Sequence, residues 1–431
     1  MGQNRPNSSR AAGRVARYGA AVIEAERVRT ERSVIAFLAF IGVLMAFGID
    51  AALPAFDQLS DTFDLDARGI SPAITGTLYF GGMAVGQLFY GILADRFGRR
   101  PILVAGITVY AIGALASALA PTLEALLIAR FVWGLGAAAP TVMRMAIARD
   151  LFAGDQMARV ISTFSAIFLL GPIFMPFVGE AILLVGDWRL VFSAGLALAG
   201  ITLAWTFVFG ETLAPELQRP IKLAPLRAAF SAVVRTRVTL WILIAQAFFG
   251  GAFFVWLGSA QPVIDEIYGR DSQFSLFFGA SGIGMAVALL FNRRLIVKFG
   301  AETMVVRAAS VFVLACIGGL IGTIAAGGVP SIWFWFGWAL IANAMGIVMG
   351  PMSASLALEP MADKAGTAAA ILGVAQLGVG AGLAAVIDAR IDETVTPMVL
   401  GSLVYGALGL GCLLLALRPW QRTGTAPPTV T

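Results

Sequence analysis

The most regular feature of the sequence is a series of long apolar segments separated by short polar ones. An α-helix needs ~20 apolar residues to cross the ~30 Å hydrocarbon core of a bilayer. Segments of this kind predict about twelve helices, at residues 34–56, 72–93, 102–120, 123–147, 160–185, 190–210, 238–264, 274–291, 304–326, 331–358, 365–387 and 395–417. They are too long and too continuously apolar for the strands of a transmembrane barrel. The pattern therefore predicts an all-α membrane protein.

Composition and charge agree with this interpretation. The 431-residue chain is 59% hydrophobic and 13% charged, whereas a soluble domain is about a quarter charged. With both termini in the cytoplasm, the loops on that side hold most of the basic residues, including Arg96, Arg99, Arg100, Arg293, Arg294 and Lys298. The opposite loops are rich in acids: Asp57, Asp61, Asp64, Asp66, Asp265, Glu266, Asp271, Asp388, Asp392 and Glu393. The net charge of +5 thus reflects membrane orientation, and we expect no nucleic-acid partner.

The two ends of the chain are polar. Residues 1–32 form an Arg-rich segment, predicted to be a cytoplasmic tail whose part at 15–32 forms a surface helix on anionic lipid. Residues 418–431 are predicted to be a second cytoplasmic tail, and no secretory signal is evident. Cys316 and Cys412 lie in separate predicted helices, so we expect packing residues, with no disulfide, metal or cofactor.

The sequence contains an internal repeat. Residues 49–57 (IDAALPAFD) align with residues 257–265 (LGSAQPVID), and residues 93–98 (LADRFG) resemble residues 295–300 (LIVKFG). Both matches fall at equivalent helix ends, which predicts two pseudo-symmetric halves of six helices each, at 33–210 and 240–417. A basic cytoplasmic linker at 211–239 joins them. Repeated halves with a site at their interface are typical of secondary transporters.

The loop after the second predicted helix carries a family motif. Residues 91–101 (GILADRFGRRP) resemble the loop 2–3 signature of the major facilitator superfamily. More narrowly, Asp50 with residues 53–55 (LPA), residues 130–137 (RFVWGLGA) and residues 210–213 (GETL) resemble motifs of the Bcr/CflA-type drug:proton antiporters. Gly171 and Pro172 with Pro176 and Gly179 resemble the helix-five antiporter motif, from which Met175 and Glu180 depart. The resemblance implies the major facilitator fold and multidrug efflux coupled to protons.

Asp50 is the sharpest candidate for the coupling chemistry. It is the only acid deep in a predicted span of the first half. A charge in the bilayer costs at least ~2.5 kcal/mol by insertion scales, so such an acid usually has a function. Burial favours the protonated form of a carboxyl group, so Asp50 is predicted to bind and release a proton. The alternative is that the span is shifted and Asp50 lies at the outer interface.

Arg130 is predicted to be the electrostatic partner of Asp50. At ~1.5 Å per residue, the two residues lie at depths that agree to ~5 Å. We expect an ion pair with Asp50 in one conformation and its separation in another; a fixed structural pair is the alternative. Glu180 is a weaker candidate near the outer end of the fifth helix. Arg144 is expected to extend towards the lipid headgroups.

The remaining motif residues are expected to control conformation. Gly91 and Gly98 permit close helix approach and a tight turn, and Asp95 can accept from a helix N-terminus or pair with Arg99. With Arg96 and Arg100, these residues predict a cytoplasmic gate that stabilises the outward-open state, or simply a charge cluster that sets topology. Gly171, Pro172, Pro176 and Gly179 are expected to bend and thin the fifth helix, unless they are ordinary membrane-helix residues.

The substrate cavity is expected to be apolar and aromatic, because polar groups are sparse in the spans, with amides such as Gln87, Gln246, Asn343 and Gln376. Such a cavity suits lipophilic ligands better than sugars. The chain has no P-loop and no histidine, which excludes an ATP motor of that kind, His-based zinc sites and Ser-His-Asp catalysis.

The sequence therefore predicts a monomeric, proton-coupled exporter of small lipophilic molecules in a bacterial inner membrane, with no enzyme activity. Chloramphenicol-like or bicyclomycin-like substrates follow from the family resemblance alone. A proton-coupled symporter or exporter of a metabolite is the nearest alternative. A membrane enzyme is a further alternative, but the sequence offers no base to activate a nucleophile. A passive facilitator is another, and its downhill flux would not depend on Asp50.

Overall fold

Twelve helices long and apolar enough to cross a membrane occur in a computed structural model, which describes residues 30–168, 170–218 and 223–417. They are α1 (Glu31–Phe63), α2 (Ile74–Phe97), α3 (Arg99–Ala118), α4 (Leu123–Leu151), α5 (Gly154–Leu183), α6 (Trp188–Phe209), α7 (Arg237–Ile267), α8 (Phe274–Phe299), α9 (Ala301–Ala325), α10 (Ile332–Met361), α11 (Thr367–Asp388) and α12 (Thr396–Leu417). Each coincides with a predicted span, so the all-α membrane fold is confirmed. The tail at 418–431, and all but residues 30–32 of the one at 1–32, lie outside the described residues.

Several helices extend beyond the predicted apolar segments. α8 continues from the predicted end at residue 291 to Phe299, through Asn292, Arg293 and Arg294. α4 likewise continues to Leu151. Polar residues end an apolar pattern but not a helix, because the helix propensities of Arg and Asn permit continuation outside the bilayer core.

The helices form two halves, α1–α6 and α7–α12, with a helix at Leu223–Arg235 in the segment that connects them. The two halves meet where α2 packs against α11, where α5 packs against α8, and where α1 and α2 contact α7. We call the end of the bundle with Asp66, Glu266 and Asp392 the acid-rich end, and the end with Asp95, Arg99 and Arg100 the basic end.

The repeat seen in the sequence is also visible in the backbone. Pro54 lies in a 3-10 turn within α1, and Pro262 directly precedes a π-helical turn at the same end of α7. Gly98, between α2 and α3, and Gly300, between α8 and α9, both have positive φ, at +98° and +79°. Residues matched by the repeat therefore break or turn the chain in equivalent places.

α2 and α4 approach each other at backbone distance, which positions residues of the candidate site. A Cβ atom on Gly134 would overlap the carbonyl oxygen of Tyr79, and one on Gly82 would overlap that of Phe131. Small residues at helix contacts allow this packing in membranes, where close van der Waals contact drives helix association. Tyr79 and Arg130 are thereby fixed on facing sides of the same contact.

Candidate functional site

Asp50 lies within the α1 helix, Glu31–Phe63, rather than at its end. It is the last residue of the α-helix Glu31–Asp50, and after the 3-10 turn Leu53–Ala55 the chain continues as Phe56–Phe63. Its side chain is 5% exposed. Among the described residues, none makes a hydrogen bond or an ion pair with its carboxylate. Asp50 is therefore a buried acid at a break in the first helix.

Arg130 is held by backbone carbonyls and aromatic rings. It is 1% exposed, and it donates from Nη1 to the Gly48 carbonyl at 2.8 Å and from Nε to the Thr75 carbonyl at 3.3 Å. Its guanidinium carbon lies 4.8 to 5.3 Å from the ring centroids of Tyr79, Trp133 and Phe192. These contacts replace the hydration that a buried cation loses.

The predicted ion pair between Asp50 and Arg130 is absent from this conformation of the described chain. The reason is that the Arg130 guanidinium is directed to the carbonyls of Gly48 and Thr75 instead. The two charged residues are linked indirectly, because Gly48 lies two residues before Asp50 in α1, and the Tyr79 hydroxyl is close enough to both for electrostatic interaction. That hydroxyl is buried without a hydrogen-bond partner among the described residues.

The proline- and glycine-rich part of α5 packs against α1 beside Asp50. Pro172 lies in the first turn of the segment Gly171–Leu183, and Pro176 lies inside it. A Cβ atom on Gly179 would overlap the carbonyl oxygen of Ala51, and one on Gly171 would lie 2.7 Å from the Cβ of Ala46. Glu180 is half-buried, and no described residue bonds to its carboxylate. α5 is thus in backbone contact with the residue after Asp50.

At the basic end, the loop motif forms a bonded cluster that we call the clasp: Asp95, Arg99, Asp150, Glu211 and Thr212. Arg99 pairs with Asp95 at 2.7 Å and with Asp150 at 2.8 Å, and the Thr212 hydroxyl donates to Asp150 at 3.2 Å. Glu211 accepts from the backbone N–H groups of Arg99 and Arg100, at 2.8 and 3.1 Å. Glu211 therefore accepts the hydrogen bonds from the N-terminus of α3, while Asp95 forms an ion pair with Arg99.

The other motif residues of this loop have different surroundings. Arg96 is exposed, and Arg100 lies over the ring of Phe207 at 5.0 Å. Gly98 makes the turn with positive φ, as expected. The expectation of close helix approach fails at Gly91, where a Cβ atom would meet Val142 at an ordinary 3.9 Å.

The prediction that Arg144 extends towards lipid headgroups is wrong. Arg144 is 8% exposed, and its guanidinium carbon lies 4.7 Å from the ring centroid of Phe168 and 5.6 Å from that of Phe164. Gly42 lacks the side chain that would occupy this space. The guanidinium therefore turns inward, into a pocket that α1 and α5 create.

A cavity of about 360 Å³ lies within the second half, among α7, α8, α10 and α11. Its walls are mostly apolar, and Gln246 and Gln376 contribute two amides. The remaining lining residues include Phe249, Phe253, Leu289, Ile347 and Met349. The size falls in the range of small-molecule sites, which is roughly 300–1,000 Å³.

At the acid-rich end, the two halves are in contact. Gln261 of α7 donates to the Asp57 carboxylate of α1 at 2.7 Å, and the rings of Phe80 in α2 and Phe254 in α7 lie 4.3 Å apart. These contacts cover the region of Asp50 and Arg130 from that end. The conformation is therefore closed at the acid-rich end.

Comparison with known proteins agrees with this architecture. The family model described as Major Facilitator Superfamily matches residues 38–385. The chain is 30% identical over 377 residues to the bicyclomycin resistance protein homolog of Haemophilus influenzae, covering 85% of this chain and 92% of the relative. It is 28% identical over 339 residues to the multidrug resistance protein MdtL of Vibrio parahaemolyticus, covering 78% and 83%.

Solved structures give the same fold at lower identity. The crystal structure of a D-xylose-proton symporter matches with a TM-score of 0.73 and 17% identity, over 90% of this chain and 98% of that chain. The inward-open xylose transporter XylE of E. coli matches with a TM-score of 0.72 and 17% identity, over 93% and 98%.

Proposed function

The chain belongs to the major facilitator superfamily, and on that premise we propose that it exports small lipophilic molecules in exchange for protons by alternating access. The observation that carries this proposal is Asp50, a buried acid with no bonding partner among the described residues. The relatives in Haemophilus and Vibrio are named for bicyclomycin and multidrug resistance, which supports the choice of drugs as substrates.

Asp50 is proposed to be the proton site. A charged carboxylate without partners in the bilayer is costly, so the neutral acid is the form that fits the conformation described here. Opening the acid-rich end would hydrate Asp50 and allow its proton to exchange. A group that is neutral when covered and charged when hydrated links proton binding to conformation.

Arg130 is proposed to compete with the proton for the Asp50 carboxylate. Its present acceptors, the carbonyls of Gly48 and Thr75, belong to α1 and α2. A small movement of α1 would exchange the Gly48 carbonyl for the Asp50 carboxylate, since a charged hydrogen bond is stronger than a neutral one. Arg130 would then favour release of the proton in the conformation where the pair forms.

The α1–α5 contact and the clasp are proposed to transmit and hold these conformations. Gly179 lies against Ala51, so a shift of α5 moves the break in α1 directly. Glu180, the next residue, is the secondary candidate for a proton site. The clasp joins α2, α3 and α4 to the chain after α6, which keeps the first half a single body while it moves.

The cavity supports lipophilic substrates. Its apolar walls with two amides offer few directional groups, and such surfaces accommodate variable ligands. We propose a multi-pass protein of the bacterial inner membrane, acting as a monomer with both termini in the cytoplasm, so that the acid-rich end faces outward.

The test is drug-driven proton movement in everted vesicles with an acidified lumen. Chloramphenicol or bicyclomycin is added outside, and lumenal pH is followed for the wild type, Asp50→Asn and the control Asp61→Asn, which changes an exposed acid of α1. We expect the drug to raise lumenal pH with the wild type and the control only. Size-exclusion profiles establish that all three proteins are folded.

Three other results have distinct meanings. A pH response that survives in Asp50→Asn would move the proton site, and Glu180→Gln would be tested next. A folded wild type without any response to either drug would contradict drug antiport and favour a metabolite as substrate. Equal downhill drug flux in the wild type and Asp50→Asn, with no proton movement in either, would indicate a passive facilitator.

A further inference from the structure

Asp388, at the end of α11, is a second buried acid. The sequence places it among the loop acids, yet it is 4% exposed. The Ser259 hydroxyl donates to its Oδ1 at 2.6 Å. Residues of α7 and α11 separated by 129 positions are thereby joined.

The position of Asp388 corresponds to that of Asp50 in the other half. In the repeat, Asp50 aligns with Gly258 of α7, which carries no side chain. A Cβ atom on Gly258 would lie 3.1 Å from Oδ2 of Asp388, so the carboxylate fills the space beside that glycine. α11 therefore supplies the acid that α7 lacks.

Asp388 also lines two small cavities. The inner one, of about 20 Å³, lies between the halves and is lined by Arg130, Thr77, Phe254 and Asp388 among others. The outer one, also about 20 Å³, is lined by Ser71, Glu266, Asp392 and Asp388. Each has room for about one water molecule, which suffices to pass a proton to or from a carboxyl group.

The charged and titratable groups around Asp388 differ on its two sides. Arg130 of α4 shares the inner cavity, and Glu266 and Asp392 share the outer one. Tyr405 of α12 lies within electrostatic reach of Asp388 and of Arg390. Because Arg130 and Asp388 belong to different halves, opening the acid-rich end separates the cation from the acid and exposes Asp388 to the outer side.

We propose that Asp388 is a second proton-binding carboxyl of the transporter, placed in the second half where Asp50 stands in the first and reached from the acid-rich end. This inference rests on the proposed antiport for its physiological use, whereas proton binding itself requires no substrate. Each half then carries one acid that is covered when the acid-rich end is closed.

The test is infrared difference spectroscopy of the reconstituted protein between acidic and alkaline pH, without drug. A protonated carboxyl gives a carbonyl stretching band that disappears on ionisation. We expect Asp388→Asn to remove one component of this band and Asp50→Asn to remove another. Glu393 is an exposed acid five residues further on. Glu393→Gln is expected to change only the background signal of exposed acids and to leave both components unchanged.

Ser259→Ala provides a test that retains the acid. Loss of the 2.6 Å hydrogen bond is expected to shift the Asp388 component without removing it. A spectrum of Asp388→Asn identical to that of the wild type, or no shift in Ser259→Ala, would overturn the proposal. If these bands behave as expected and vesicles show no drug response, the antiport fails while the second proton site stands.

Discussion

Gly179 of α5 lies against the backbone of Ala51, the residue that follows the buried acid Asp50. A side chain at position 179 would overlap the Ala51 carbonyl oxygen, so glycine is what allows the two helices to meet there. The antiporter-like motif is therefore in direct contact with the break in α1.

Gly179→Ala is expected to force α5 away from α1. Overpacking of this kind destabilises proteins by about 1–3 kcal/mol. We expect a lower thermal unfolding temperature in detergent and a reduced transport rate. Gly200→Ala in α6 is the control, because a Cβ atom there would meet nothing within 4 Å. Equal unfolding temperatures for the two variants would contradict the packing argument.

Arg130→Lys is expected to impair coupling despite keeping the charge. Arginine reaches two carbonyls and three rings at once, whereas lysine is a compact point charge. Each charged hydrogen bond that lysine fails to replace costs about 1.5–3 kcal/mol. Drug-driven alkalinisation should fall about tenfold or more, while Arg68→Lys, in an exposed pair with Glu124, should retain it. Full activity of Arg130→Lys would show that only charge matters.

Glu211→Ala is expected to loosen the start of α3. Glu211 accepts from the first two backbone N–H groups of α3, which would otherwise lack partners, as a helix cap does. Loss of such a cap costs about 0.5–2 kcal/mol. Thermal unfolding measures this loss, and Glu216→Ala, at an exposed position of the same loop, should have no effect. A neutral result for Glu211→Ala would mean that water replaces the carboxylate.

The repeat offers a matched pair of glycines. Gly98→Ala and Gly300→Ala both place a side chain at positive φ, which costs about 1–3 kcal/mol. Only Gly98 faces an additional obstacle, the Glu211 carboxylate, since a Cβ atom on Gly300 meets nothing within 4 Å. Unfolding temperatures should therefore fall more for Gly98→Ala. A larger fall for Gly300→Ala would contradict the argument that the Glu211 carboxylate obstructs a side chain at position 98.

Gln246→Leu is expected to change substrate preference rather than fold. Gln246 lines the large cavity and makes only a weak 3.5 Å bond to the Gly350 carbonyl. A ligand that uses this amide would lose about 0.5–1.5 kcal/mol of binding, up to about tenfold in affinity. Competition assays with chloramphenicol and more apolar drugs would show the change. Unaltered preference would place the substrate elsewhere.

The sequence predicted the fold because bilayer thickness dictates helix length, and it singled out Asp50 because an acid is rare in an apolar segment. It predicted similar depths for Asp50 and Arg130 but not their contacts. Depth follows from residue count, whereas the direction of a guanidinium depends on carbonyls and rings from other helices, such as Gly48, Thr75 and Phe192.

Residues at helix ends were the hardest to interpret from sequence. Asp388 and Asp392 look equivalent in the chain, yet one is buried and the other exposed. The difference arises from Gly258, more than a hundred residues earlier, which leaves space for one carboxylate. Asp150 and Glu211 likewise belong to the clasp through contacts with the distant Arg99. The motif at 210–213 pointed to Glu211, and no motif pointed to Asp150.

The clasp has a consequence for how the protein is made. Its members lie between Asp95 and Thr212, so the last of them is synthesised directly after α6. A nascent chain can therefore close the clasp while α7–α12 are still untranslated. The first half can then be fastened at its basic end before α7–α12 are inserted, and it offers the later helices a finished surface on which to assemble.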